Sequence, residues 1–368
     1  MMERKSLADI ADLQAIQQRL AQHSRGIDRA DAALLTDCYH PDATVDYGFF
    51  KGTASALVEI LIDAQTGQPV TLHRTAQMWI RLNGNRATSE SYVVAYFRSP
   101  ETDGAMKQRL ICGRYLDRLE KREGIWRLSH RTYVLDTNAN WPDAQPPALP
   151  QPLSCHVPVG GQAAADTGTA LLALAAAQNR QNATGEKGMT NQAPESPAAD
   201  AIDTLVSRQQ IADLTMAYCR GVDRADEALL KSIFHEDSTV VSGAFNGNGH
   251  QFASEICRIV KAVFDQTFHS IANQWIEVTG DTAIGETYVI AVSTMSDPQD
   301  GKSEMLSGGR YIDRFTRRNG VWKFADRTFV SDWSRVDKTT REMDSGMYSA
   351  LELRGAQGPD DPIYRFWN

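Results

Sequence analysis

The chain has 368 residues, 42% of them hydrophobic and 23% charged, with a formal net charge of −8. That length exceeds one small core and predicts two domains. The acidic balance, with no basic run to neutralise phosphates, excludes nucleic acid and anionic membrane as partners, and the longest apolar run, LLALAAA at 171–177, is far too short to span a bilayer.

The opening MMERKSLADIADL runs straight into a helical pattern, so the expectation is a cytoplasmic protein without a signal peptide. A helix is predicted over roughly 7–25, then a short helix in ADAALLTDCY and a third over 53–66. From there the pattern changes to period two. Strands are predicted over 73–82 and 87–97, joined by the turn NGN, and over 108–121 and 125–135, joined by REG. The segment 137–200 shifts to Pro, Ala, Gln and Asn, and reads as a linker with one short helix near 163–180.

The same order then returns. GIDRADAALL at 26–35 comes back as GVDRADEALL at 221–230. HRTAQMWI at 73–80 matches HSIANQWI at 269–276, and GRYLDRLEKREGIWRLSHRTYV at 113–134 matches GRYIDRFTRRNGVWKFADRTFV at 309–330. The offsets are 223 − 28 = 195 and 269 − 73 = 196, which places one gained residue near the Gly-rich stretch 243–249. Each repeat is long enough to be a whole domain. Helices followed by an antiparallel meander predict an α+β fold: two tandem cone-shaped domains, each with three N-terminal helices packed in a curved sheet. The predicted boundaries are 1–137, a linker 138–200, 201–335, and a tail 336–368.

The blocks that carry this pattern are the G-[IV]-D after the first helix, the His opening the meander, and G-[IV]-W with an Arg five residues beyond the Trp. In these the chain resembles the SnoaL-like branch of the nuclear transport factor 2-like superfamily. The resemblance is to the group of hexachlorocyclohexane dehydrochlorinase, bile acid 7α-dehydratase and scytalone dehydratase, and it covers both repeats. It implies a catalytic Asp–His dyad, Asp28 with His73 and Asp223 with His269, and a functional Arg, Arg131 and Arg327. The resemblance also implies a functional position five residues before the Asp, held here by His23 and Tyr218. Relatives assemble through their sheets, which implies an intrachain pseudo-dimer or a homo-oligomer.

Cofactor-free elimination needs a base near neutrality and help for the departing group. Histidine supplies the first, and a carboxylate on its other nitrogen fixes its tautomer. Arg131 or Arg327 would stabilise developing negative charge, and Tyr218 would protonate a leaving hydroxyl. Period two places His73, Thr75, Gln77 and Trp79 on one face of their strand, and His269, Ile271, Asn273 and Trp275 on the matching face of the strand in the second repeat. Gln77, Trp79, Asn273 and Trp275 are therefore expected to bind an apolar or aromatic substrate. Plain structural readings stand beside these. Asp28 and Asp223 would serve as helix N-caps, and Arg131 and Arg327 as cross-strand ion-pair partners. His40 and His235 are expected to complement a helix C-terminus, Arg114 and Arg310 to form a surface ladder, Glu90 and Glu286 to lie on a solvated strand face, and Trp126 and Trp322 to be core. The five dispersed cysteines read as reduced and buried.

The expected activity is a cofactor-independent lyase that removes water, or a similar small group such as formaldehyde, from a hydroxylated aromatic, diaryl or steroid-like molecule. A ketosteroid-type isomerase and a non-catalytic binding protein are the alternatives. No metal cluster, phosphate loop or nucleophile elbow is present in the motifs, so neither cofactor nor metal is expected.

Overall fold

The computed structural model describes residues 6–68, 71–101, 104–142, 162–166, 199–297 and 301–367. Domain 1 opens with α1 (Leu7–Asp28), α2 (Ala32–Asp37), β1 (Tyr39–Asp46), β2 (Lys51–Thr53) and α3 (Ala54–Gln65). It continues as the meander β3 (Leu72–Asn83), β4 (Arg86–Pro100), β5 (Met106–Arg122) and β6 (Ile125–Pro142). Domain 2 repeats the series as α4 (Ala199–Asp223), α5 (Glu227–Ile233), β7 (Phe234–Val241), β8 (Asn246–Asn248), α6 (Gly249–Val263), β9 (Phe264–Thr279), β10 (Thr282–Asp297), β11 (Gly301–Arg318) and β12 (Val321–Lys338). Each sheet has six strands, ordered β2-β1-β6-β5-β4-β3 and β8-β7-β12-β11-β10-β9. The chain is thus two tandem α+β units, helices first and curved sheet after. No helix among the described residues is long and apolar enough to cross a membrane.

Local chemistry sets the element ends. Ser6 caps α1, its side chain accepting from Asp9 N while the Asp9 carboxylate accepts from Ser6 N. Asp31 and Asp226 cap the second helices, so the cap role considered for Asp28 and Asp223 falls instead three residues later. The hairpin at Glu123–Gly124 needs two left-handed residues, and Asn319–Gly320 repeats it. Apolar faces of α1, β1 and α3 meet Tyr115, Leu119 and Trp126 in the domain 1 core. Tyr218, Phe234, Phe252, Phe315 and Trp322 fill the domain 2 core.

Several expectations are corrected here. The caps Thr53 and Asn248 keep the offset 248 − 53 = 195, so the gained residue lies after the Gly-rich stretch, between the α6 cap and His269. Strands β6 and β12 run past the expected domain ends, to Pro142 and Lys338. Of the helix predicted near 163–180, only a 3-10 turn, Ala163–Ala165, and Asp166 fall within the described residues. His40 and His235 bond strand carbonyls, those of Glu120 and Thr316, rather than a helix end.

Arg114 is not on a surface ladder, nor is Glu90 on a solvated strand face. Arg114 is fully buried and is held by Asp136 (2.9 and 3.0 Å), Glu90 (2.8 Å) and Asp361 of the tail (2.6 and 2.9 Å). Arg224 of domain 2 joins the cluster through Asp361 (2.9 Å) and Asp136 (3.2 Å). Their burial has a cause no single-domain reading contains: the outer face of sheet 1 is covered by domain 2 and the tail. Gly355 makes the close approach possible, since a Cβ there would lie 1.7 Å from Asp136 Oδ1.

Candidate active site

The dyad forms where α1 ends and β3 begins. His73 Nδ1 donates to Asp28 Oδ1 (2.7 Å), and the His73 backbone N–H donates to both carboxylate oxygens (3.1 and 2.9 Å). Thr71 Oγ1 donates to the same Oδ1 (2.7 Å). These bonds fix the imidazole with its proton on Nδ1 and leave Nε2 as the basic nitrogen. A bond between Ser24 and Thr75 (2.6 Å) ties the same helix to the same strand. In domain 2 the geometry recurs, with His269 Nδ1 on Asp223 Oδ1 (2.6 Å) and His269 N on Oδ2 (3.0 Å). There Thr267, the counterpart of Thr71, has a hydroxyl without a partner.

His73 opens on a cavity of about 410 Å³. Its walls are Ile27, Val93, Phe97 and Ile111, with Tyr47, Tyr115 and Tyr133 beside them. Gln65, Gln68 and Arg98 stand among the polar lining, and Met347 and Leu351 of the tail close one side. Tyr115 and Tyr133 are direct cross-strand partners on β5 and β6, which brings their rings together at 5.7 Å. The Tyr47 side chain is buried, with Tyr39 and Arg131 within interaction range of its hydroxyl. Burial pushes that hydroxyl above the ordinary tyrosine value, so it carries its proton at neutral pH.

Arg131 does not line the cavity. It lies behind Tyr115, its guanidinium 3.9 Å from the ring centroid, and grips Asp117 at 2.7 and 2.8 Å. Its remaining Nη1 donates to His23 Nδ1 (2.8 Å), so His23 donates from Nε2 to Tyr39 Oη (2.8 Å). Desolvation first, then the Arg131 charge, hold His23 well below the usual histidine value, and it is neutral. The counterpart Arg327 repeats the grip on Asp313 (2.8 Å twice), but Tyr218 replaces His23 beside it. The Tyr218 ring covers that guanidinium at 3.9 Å.

The four expected substrate contacts fall elsewhere. On β3, Ala76 pairs with Tyr92 and Trp79 with Glu90, so Gln77 and Met78 oppose one residue. On β9, Ala272 and Asn273 likewise oppose Tyr288. Each is a β-bulge, and each reverses the alternation halfway along the strand. Gln77, at φ 51°, accepts from Ile271 N of domain 2 (3.0 Å), and Trp79 packs against Trp367 of the tail (4.7 Å). Asn273 and Trp275 point to solvent. Tyr47, Tyr115 and Tyr133 were missed although two of them lie inside the repeated blocks. Their signal was the cross-strand register of GRY and RTY.

A model of the SnoaL-like domain matches residues 8–132 and again 203–328. The chain belongs to the SnoaL-like family. One SnoaL-like relative is the gamma-hexachlorocyclohexane dehydrochlorinase of Sphingobium indicum, 27% identical over 135 residues, covering 36% of this chain and 85% of that protein. Another, an uncharacterised protein of Mycobacterium bovis, is 30% identical over 130 residues, covering 34% and 86%. A solved hexachlorocyclohexane dehydrochlorinase is 26% identical, covering 36% of this chain and 90% of that one, with a TM-score of 0.34. In both SnoaL-like domains the matched stretch includes the dyad, and the tail residues of the cavity lie outside it.

Proposed function

We propose that domain 1 is a cofactor-independent lyase that eliminates water or a comparable small leaving group from a ring-bearing small molecule. The observation that carries this reading is His73, held by Asp28 and facing an aromatic-walled cavity. Named dehydrochlorinases among the relatives support the elimination class.

His73 Nε2 takes a proton from the substrate carbon, and the electron pair left behind forms the double bond as the carbon–oxygen bond breaks. Asp28 stabilises the imidazolium that results. The hydroxide leaves as water by taking the Tyr47 proton. His73 then returns a proton to Tyr47 through solvent, so the enzyme ends as it began. Arg131 acts at a distance, holding His23 and the rear of the Tyr115 ring. A cavity of about 410 Å³ with phenyl and phenol walls suits one or two rings with few charges.

The test is the purified chain against hydroxylated aromatic, diaryl and steroid compounds, with product mass followed. Loss of water that disappears in His73→Ala supports the reading. Loss of formaldehyde that disappears in the same variant keeps the base and changes the bond broken. A product of unchanged mass moves the assignment to isomerase. Tight binding without any turnover moves it to a binding protein.

A further inference from the structure

Behind the domain 1 cavity a run of hydrogen bonds leads from a buried cation to the cavity wall. Arg131 commits Nε and Nη2 to Asp117, and its Nη1 faces His23 Nδ1 at 2.8 Å. A guanidinium carries N–H donors, has no acceptor and stays charged. His23 Nδ1 therefore accepts, and the single proton of the neutral ring sits on Nε2. That proton is donated to Tyr39 Oη (2.8 Å). The arginine thus sets the direction of a bond it does not itself make.

The direction carries one step further. Tyr39 is buried, and with its oxygen accepting from His23 its own proton needs an acceptor. The Tyr47 hydroxyl lies within range of both Tyr39 and Arg131. Asp117, the carboxylate felt by both phenols, has each of its oxygens on Arg131. Tyr39 and Arg131 reach the Tyr47 oxygen as donors, so the Tyr47 proton turns away from them, toward the cavity that Tyr47 and His73 both line. Tyr133, stacked on Tyr47 at 5.9 Å and 17°, holds the ring in that attitude.

The repeat shows which part of this arrangement belongs to domain 1 alone. Domain 2 keeps the arginine–carboxylate grip, Arg327 on Asp313. The other three members are replaced as a set: Tyr218 for His23, Phe234 for Tyr39 and Ser242 for Tyr47. Phe234 has no hydroxyl to direct, and Ser242 turns its own onto the Phe245 carbonyl (2.8 Å).

We propose that Tyr39 is a positioning residue for the elimination: it hands on the polarity that Arg131 imposes through His23, so that the Tyr47 proton is aimed at the leaving hydroxyl before substrate enters. The inference rests on Tyr47 being the proton donor of the lyase reading. Tyr39 does not line the cavity and gives up no proton in the reaction. It acts by making one orientation of the Tyr47 hydroxyl the stable one, which removes a reorganisation step from the reaction.

The direction of the bonds can be read without a substrate. In a neutron crystal structure of the full perdeuterated chain, deuterons should lie on His23 Nε2, on Tyr39 Oη toward Tyr47, and on Tyr47 Oη toward the cavity. A deuteron on His23 Nδ1, or a Tyr47 deuteron aimed at Tyr39, overturns the inference and leaves the lyase reading standing. Turnover gives the second readout, on a compound of the hydroxylated panel that loses water in a His73-dependent way. His23→Gln and His23→Glu have one shape and opposite polarity. The amide accepts from Arg131 and donates to Tyr39, whereas the carboxylate only accepts and draws the Tyr39 proton back. The glutamine variant should exceed the glutamate variant in kcat by about 10-fold at equal KM, and Tyr39→Phe should fall beside the glutamate variant. Equal kcat in the two isosteres, or a Tyr39→Phe that changes KM alone, overturns the inference. An altered far-UV circular dichroism in either isostere passes the decision to Tyr39→Phe, which keeps the ring. A panel without any turnover refutes the lyase reading, and with it the use of the Tyr47 proton.

Discussion

The two domains hold the same dyad in different rooms. His73 and His269 are gripped by their carboxylates at 2.7 and 2.6 Å, through the same backbone and ring nitrogens. Around His73 stand hydroxyls and an imidazole: Tyr39, Tyr47, Tyr133 and His23. At the same positions domain 2 has Phe234, Ser242, Phe329 and Tyr218. Ser242 is spent on its own turn, bonding the Phe245 carbonyl (2.8 Å). The comparison separates two levels of design. The helix-end carboxylate and strand-start histidine are set by the fold, and persist when their surroundings change. The residues around the pair have diverged, and on the proposed function they would set what each pair acts on.

That contrast can be broken by removing each base in turn. His73→Ala should lower kcat/KM for a domain 1 substrate about 10³-fold, with His269→Ala leaving the same reaction near its starting rate. The reverse result, read from initial rates on one substrate, would place the chemistry in domain 2. A comparable effect on stability separates the two outer faces. Arg114→Met strands Asp136, Glu90 and Asp361 in the interior and should cost about 3–5 kcal/mol. Arg310→Met, half-exposed, should cost at most about 1 kcal/mol. Urea unfolding of both variants measures the difference.

Smaller effects sharpen the walls. Tyr47→Phe removes the proposed proton donor, so turnover should fall about 10²-fold, while Ser242→Ala should leave turnover unaltered. The smallest effect is in the pH dependence of stability. His23 titrates lower in the folded chain than its unfolded value of about 6.5. Its contribution is therefore full above that pH and is lost as pH falls below it, because the unfolded chain takes up the proton first. Replacement by the residue domain 2 uses, His23→Tyr, should flatten the acid limb of the stability curve by up to about 1.4 kcal/mol per pH unit. Unfolding midpoints between neutral and mildly acid pH would show it.

What could be read in advance follows from how local each feature is. The repeat, the hairpin turns and the candidate dyad residues rest on short blocks, and those blocks were readable. The parity of Gln77 and Trp79 was not, because a bulge adds one residue to a strand without marking the sequence and every later side chain changes face. Arg114 and Glu90 read as surface residues because a charged strand position is normally wet. Their burial depends on Asp361 and Arg224, brought from another domain.

The buried cluster around Arg114 also bears on how the chain is made. Domain 1 is synthesised first, yet the carboxylate that completes its interior lies 247 residues downstream of the arginine it binds. At translation rates of about 5–20 residues per second, that gap takes on the order of 10–50 s. For most of that interval Arg114 has Glu90 and Asp136 at hand, and Arg224 is made before half of it has passed, but Asp361 comes only at its end. Nascent domain 1 is thus a finished sheet with an unfinished back, and the ribosome, by setting when Asp361 arrives, sets when that back can close.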